Sequence, residues 1–477
     1  MIAKAKILII PAGCAIICNT LTRGTLPPYG MGPEFNMNCI SGLGAGCLSS
    51  ALAGKRRWTI FLALIAVAAC DVESSESAHT PAARDYDAHY SVKVMPEQSS
   101  VEVLLEVRQS RHLLRELAFT SPPGMLDAYS GDGELQVSNG ALRWLPPAQG
   151  GKLRWRMQVA HRRGSDGYDA WLGPAWGIFR AEDIIPRAKT RALKGSTSNT
   201  TLSLDLPPGW SFVTEYSSIN DPIRVVRSDR RFDQPTGWIA VGDIGVRREK
   251  ITGVRVAVAG PQGHAVRRMD MLALLNWTLP ELIALLPQPL PRLTIVSAGE
   301  PMWRGGLSAP ASLYVHADRP LISENATSPL MHEVVHTALS MRTSEGADWI
   351  AEGLAEYYSL ELLKRGGAIS ARRYEIAVAE QANWARQAKS LCGATSTGAT
   401  TALAVTVLHA LNKEISDKTG GASNLDQLLL RVLESRDSID VAKLQAFAAD
   451  IIGAASDVLH IDRLPGCPKM TPGKHGS

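Results

Sequence analysis

The spacing of apolar positions changes character once along this chain. From about residue 88 to 260, segments such as HYSVKVMP, VEVLLEVR, GKLRWRMQVAHR, TLSLDLPPGW and GVRVAVAG alternate apolar and polar residues or are rich in valine. That is the two-residue period of strands with one buried face. Turn signals (SPPG, SGDG, PPAQGG) separate them, and no helix-length periodic segment intervenes. An antiparallel sandwich or a saddle of sheets is expected. Beyond residue 260 the period lengthens. MDMLALLNWTLPELIALLP reads as a helix broken at Pro280, and PRLTIVSA and SLYVHAD read as two short strands around Gly305-Gly306. From Ser328 onward SPLMHEVVHTALSMR, ADWIAEGLAEYYSLELLKRGG, ARRYEIAVAEQANWARQAKS, TALAVTVLHALNKEISDKTGG and NLDQLLLRVLESR are helical, with Gly366-Gly367 and Gly420-Gly421 where C-terminal caps belong.

Composition adds little to this division, but the start of the chain adds much. A length of 477 residues, 45% apolar and 20% charged, fits a globular protein of two or three domains. The net charge of +4 is small, and lysine and arginine are dispersed without aromatic interleaving, so no nucleic-acid surface is indicated. Lys55-Arg56-Arg57 precede WTIFLALIAVAA, an apolar run too short to span a bilayer but suited to a signal-peptide core. Val67-Ala68-Ala69-Cys70 resembles a bacterial lipobox, which implies a signal peptide over 55–69 and a lipidated Cys70 as the first mature residue. Residues 1–54 then read as an over-long, disordered start, and 70–87 as a small, polar tether. The resemblance implies a membrane-anchored protein in the bacterial cell envelope facing the periplasm, inner or outer membrane left open. In that compartment Cys392 and Cys467 can pair, the alternative being two free thiols.

The chemistry concentrates at 330–356. In LMHEVVHTALS, His332 and His336 are four apart, so a helix presents both imidazoles from one face at a spacing that suits adjacent corners of a zinc tetrahedron. Glu333 points beside such an ion, where it can take a proton from attacking water and later hand it to the leaving amine. A catalytic zinc ion needs a third protein ligand and an open fourth position. Arg342 stands where metzincins place a third histidine, leaving Glu345, Asp348, Glu352 and Glu356.

Here WIAEGLAEYY, residues 349–358, resembles the W-x-x-E-G-x-A signature of gluzincin zinc metallopeptidases. Aminopeptidase N-like enzymes and the glycyl-aminopeptidase-like family both carry it, the second matching best. The resemblance implies that Glu352 is the third ligand of one zinc ion. It also implies that Glu356, one turn on, accepts a hydrogen bond from a ligating histidine and fixes its tautomer. It further implies an α+β multidomain fold: a β-rich, sandwich-like domain over 88–260, then a thermolysin-like, mainly α-helical catalytic domain over 261–477. SLYVHAD would be the edge strand that pairs with a peptide or protein substrate. After the last helix too little chain follows for the PDZ module some relatives carry. Two departures bear on activity. Gly305-Gly306-Leu307-Ser308-Ala309 lacks the acid of the GAMEN-type amine anchor, and Thr395–Ala399 lacks the family's oxyanion-stabilising tyrosine. Oxyanion stabilisation would then come from zinc alone or from another donor such as Tyr374, Tyr358 or His409, although each of these suits a structural role. His316 could face substrate, although an edge-strand histidine suits solvent, and the tryptophans (Trp144, Trp155, Trp171, Trp176, Trp210, Trp238) suit the sandwich core. The expectation is a membrane-anchored zinc metallopeptidase, exo- or endopeptidase mode open. The alternatives are a binding lipoprotein that keeps the metal but has weakened catalysis, and a structural lipoprotein without metal.

Overall fold

A computed structural model describes residues 84–120, 127–138, 141–216, 222–226, 232–435 and 437–467. The expected signal peptide, lipobox and Cys70 lie outside the described residues, as does most of the tether. Among those described, no helix is long and apolar enough to cross a membrane.

The two-residue period does build sheets. Asp85–Met95, Ser100–Arg108, Gly150–Gln158 and Thr197–Asp205 are the long strands of a six-stranded sheet, and a five-stranded and a four-stranded sheet lie beyond it in the same half of the chain. Inward positions such as Tyr90, Val92, Val103, Leu105, Leu153 and Trp155 are sealed from water. One pairing corrects the antiparallel expectation: Asp85–Met95 runs parallel to Thr197–Asp205, with Tyr90 opposite Leu202. The two strands are separated by the strands of other sheets, so no hairpin dictates their direction, and a long crossover permits parallel pairing. Of the six tryptophans, Trp144, Trp155 and Trp238 are fully buried, while Trp171, Trp176 and Trp210 are partly exposed. Trp238 packs away from the sandwich core, against Tyr314. Among the described residues of this half the helical segments are a 3-10 turn, Pro96–Gln98, and the single α-turn α1, Ala181–Ile184.

A second five-stranded sheet carries the site. Its order is Ile244–Ile251, Val254–Pro261, Arg292–Ala298, Ser312–His316, Gly306–Ala309. The first strand precedes residue 260 and the second runs through it, so the sheet spans the boundary expected there. The edge strand also differs from expectation. Ser312–His316, the heart of SLYVHAD, is interior, paired in parallel with Arg292–Ala298 on one side and antiparallel with Gly306–Ala309 on the other. Gly306–Ala309 folds back as a strand of its own and takes the edge. His316 is accordingly fully buried instead of solvated.

Seven longer helices complete the chain: α2 (Arg268–Ile283), α3 (Pro329–Leu339), α4 (Asp348–Arg365), α5 (Ala371–Ala385), α6 (Ala399–Lys418), α7 (Leu425–Glu434) and α8 (Val441–Ile452). Pro280 does not break α2, which continues to Ile283. One lost backbone hydrogen bond is outweighed where Leu279 and Leu282 on either side of the proline are fully buried. The structure joins Cys392 to Cys467, Cα–Cα 4.8 Å, tying the end of the described chain to the loop between α5 and α6. Mixed sheets followed by a helical region make this an α+β multidomain architecture.

Candidate metal centre

Helix α3 starts sharply. Ser328 caps it by accepting the Met331 N–H at 3.1 Å, and Pro329 occupies the first turn, where its missing N–H costs nothing. Leu330, Met331, Val334, Val335 and Leu339 are buried in the core shared by the second five-stranded sheet and the helices, each contributing about 1.5–3 kcal/mol. Thr337 Oγ1 adds a hydrogen bond to the Ser312 carbonyl at 3.2 Å, fixing the helix on the sheet. That registers His332 and His336 toward α4. On α4, Gly353 meets α6, where an added Cβ would lie 2.7 Å from that of Ala404. The glycine of the E-G-x-A segment therefore lets two helices approach closely, and this sets the height of Glu352 opposite the histidines.

The three side chains converge. His332 Nε2 and His336 Nε2 are 3.1 Å apart, and the Glu352 carboxylate oxygens lie 3.4 Å and 3.3 Å from them. One donor atom from each residue falls within 4.8 Å of the others, which makes His332, His336 and Glu352 a possible metal cage among the described residues. His332 Nδ1 is 2.9 Å from Glu356 Oε2, and Gln381 Nε2 donates to the other Glu356 oxygen at 3.4 Å. A proton on Nδ1 shared with Glu356 leaves the Nε2 lone pair free for an ion. Two imidazole nitrogens and one carboxylate, with a cleft on the remaining side, are a donor set that fits zinc with an open position.

Electrostatics separate the acids by environment. Burial opposes ionisation of Glu352, yet hydrogen bonds from His332 and His336 prevail and draw its carboxyl down to about 2. Burial likewise opposes a charged His332, but its bonds to Glu352 and Glu356 lift it to about 10. For Glu333 burial wins, and its carboxyl is pushed up despite the two neighbouring imidazoles. Glu333 is buried beneath the edge strand, where the Ser308 backbone N–H bonds to it and where a Cβ on Gly306 would come within 2.7 Å of its Cγ.

A cleft of about 450 Å³ opens over these groups, lined on other sides by Trp303, Arg304, Arg319, Gln381, Trp384 and the segment from Ser396 to Ala402. The Ser396 N–H bonds to Asp348 Oδ2 at 2.7 Å, so the first turn of α4 holds this wall. The stretch Thr395–Ala399 thus reaches the site without a tyrosine. None of the three substitutes considered lines the cleft. Tyr358 donates to Asp426 at 3.0 Å, Tyr374 donates to Glu361, and His409 is half-buried elsewhere on α6. The sequence singled out the stretches 395–399 and 305–309, which both line the cleft, but gave no sign of Gln381 or of Gly306–Ala309 as the sheet edge.

No protein-family model matches the sequence, and no curated protein matches it. Solved structures do resemble it. An aminopeptidase N family protein from Idiomarina loihiensis aligns with a TM-score of 0.54 at 14% identity, over 80% of this chain and 74% of that one. Leukotriene A4 hydrolase from Saccharomyces cerevisiae aligns with a TM-score of 0.52 at 14% identity, over 81% of this chain and 69% of that one. At such identities the likeness is one of fold.

Proposed function

We propose that this chain is a zinc-dependent metallopeptidase of the gluzincin type, closest in kind to the glycyl-aminopeptidase-like family. In this reading it is tethered to the bacterial envelope through lipidated Cys70 and faces the periplasm. The observation that carries the catalytic part is the convergence of His332, His336 and Glu352 at the floor of a cleft, with Glu333 buried beside them under a strand edge. When bound, zinc would act as a Lewis acid on the scissile carbonyl. His332 and His336 would hold it through Nε2 and Glu352 through its carboxylate. Glu356 keeps the His332 proton on Nδ1. Glu333, raised toward neutrality by burial, is placed to accept a proton from the attacking water and return it to the departing amine. An extended peptide would add to the Gly306–Ala309 edge, where Gly306 leaves room for close approach.

Among the described residues lining the cleft none is a tyrosine. That observation favours a second reading, an envelope lipoprotein that binds metal and peptide with weakened catalysis. Chelator-sensitive cleavage of a peptide library, compared with Glu333→Gln, separates the two. Zinc retained with no cleavage that Glu333→Gln abolishes would sink the enzyme reading.

A further inference from the structure

A second cavity, of about 560 Å³, opens at the Ala309 end of the edge strand. Among the described residues its lining includes Ser308, Pro310, His336, Ser340 and two arginines, Arg187 and Arg342, and no carboxylate. His336 belongs both to the metal centre and to this wall, so a peptide laid on the edge strand across the metal centre would run into the cavity. The arginines are built in from two directions. The backbone on either side of Arg187 is clamped by one buried side chain: Gln234 Nε2 donates to the Pro186 carbonyl at 3.0 Å, and Gln234 Oε1 accepts the Ala188 N–H at 3.0 Å. Arg342 follows the left-handed residue that ends α3, and its carbonyl accepts the Ile439 N–H at 2.9 Å. Two guanidinium stems therefore leave fixed backbone at one cavity beside a reaction centre.

We propose that this cavity is a subsite for a carboxylate of the peptide substrate, and that it disfavours a free N-terminal amine. The proposal rests on the peptidase reading above. Guanidinium forks match carboxylate geometry, and two cations facing one cavity repel an ammonium group. The carboxylate can come from an Asp or Glu side chain or from a free C-terminus.

The test uses one peptide scaffold with a single Glu walked through each position, its Gln and Lys counterparts, and free-acid and amidated C-termini. Binding is read by fluorescence anisotropy on Glu333→Gln protein, and kcat/KM on wild type. We expect one acidic form to be favoured about tenfold or more over its neutral counterpart. A preference for Glu assigns the subsite to a side chain, and a preference for the free acid over the amide assigns it to the C-terminus. Arg187→Ala with Arg342→Ala should bring the acidic-to-neutral ratio near one. Arg187→Glu with Arg342→Glu should turn it toward the Lys peptides, which a merely unfolded variant would not do. No acidic preference in either readout, or a ratio that charge reversal leaves in place, overturns the subsite. A binding ratio that follows these charges while wild type cleaves nothing keeps the subsite and rejects the peptidase reading.

Discussion

The edge strand Gly306–Ala309 separates two walls built on opposite principles. At its Gly306 end four ionisable side chains, His332, Glu333, Glu352 and Glu356, are drawn into the protein and are held by one another and by the strand's backbone. At its Ala309 end two arginines stay exposed on backbone that the fold anchors. In the first wall the neighbouring carboxylates hold a proton on His332, and the imidazoles keep Glu352 ionised. The second is a charge display. On the proposed reading, burial makes chemistry at one end, whereas exposure makes recognition at the other.

The sharpest way to break this contrast is at Glu333. Glu333→Gln keeps size and packing but removes the proton acceptor, so kcat/KM should fall by about 10²–10⁴ while zinc content is unchanged. Loss of metal together with activity would mean that Glu333 holds the cage instead of serving it. Glu356→Gln comes next. It keeps a hydrogen bond to His332 Nδ1 but removes the charge, and zinc affinity measured against a competing chelator should weaken by about 10–100-fold. An unchanged affinity would reduce Glu356 to an ordinary helix acid. Gly306→Ala should cost less, about tenfold in kcat/KM with zinc retained. The new methyl would press on Glu333 Cγ, which α3 keeps from retreating. Activity equal to wild type would show that the strand yields.

How much of this was legible depended on whether a property was local. His332, Glu333 and His336 share one helical turn, and Glu356 follows Glu352 by one turn, so spacing alone put each pair on a common face. That Glu352 meets the histidines depends on Gly353 packing against Ala404, a contact between segments that no period encodes. Gly306–Ala309 could be matched to the amine-anchor stretch but not read as the sheet edge, because four small residues are too few to alternate, and the more apolar SLYVHAD took its place as the expected edge. His316 was misplaced with it. The parallel pairing of Asp85–Met95 and the persistence of α2 through Pro280 are likewise tertiary outcomes, in which packing overrides a local preference. The arginine wall was illegible for the same reason. Arg187 and Arg342 come from distant parts of the chain, and nothing in either neighbourhood marks them.

The smallest expected effect tests whether the Gly306-end wall is indeed one coupled set. In chelator-treated protein His332 is held at about 10, well above the ordinary histidine value of 6.5, by Glu352 and Glu356. A pKa raised on folding stabilises the native state fully below the unfolded value, and that stabilisation is lost as pH rises through the folded one. The Tm of chelated protein should therefore decline by a few degrees between pH 6.5 and pH 10. His332→Ala should remove most of that decline. Added zinc should oppose it, because an ion competes with the proton for both imidazoles and binds better as pH rises. Arg187→Ala, on the other wall, should leave the slope in place. A slope indifferent to His332 but sensitive to Arg187 would mean that the two walls are electrostatically one site, and the division between chemistry and recognition would fail.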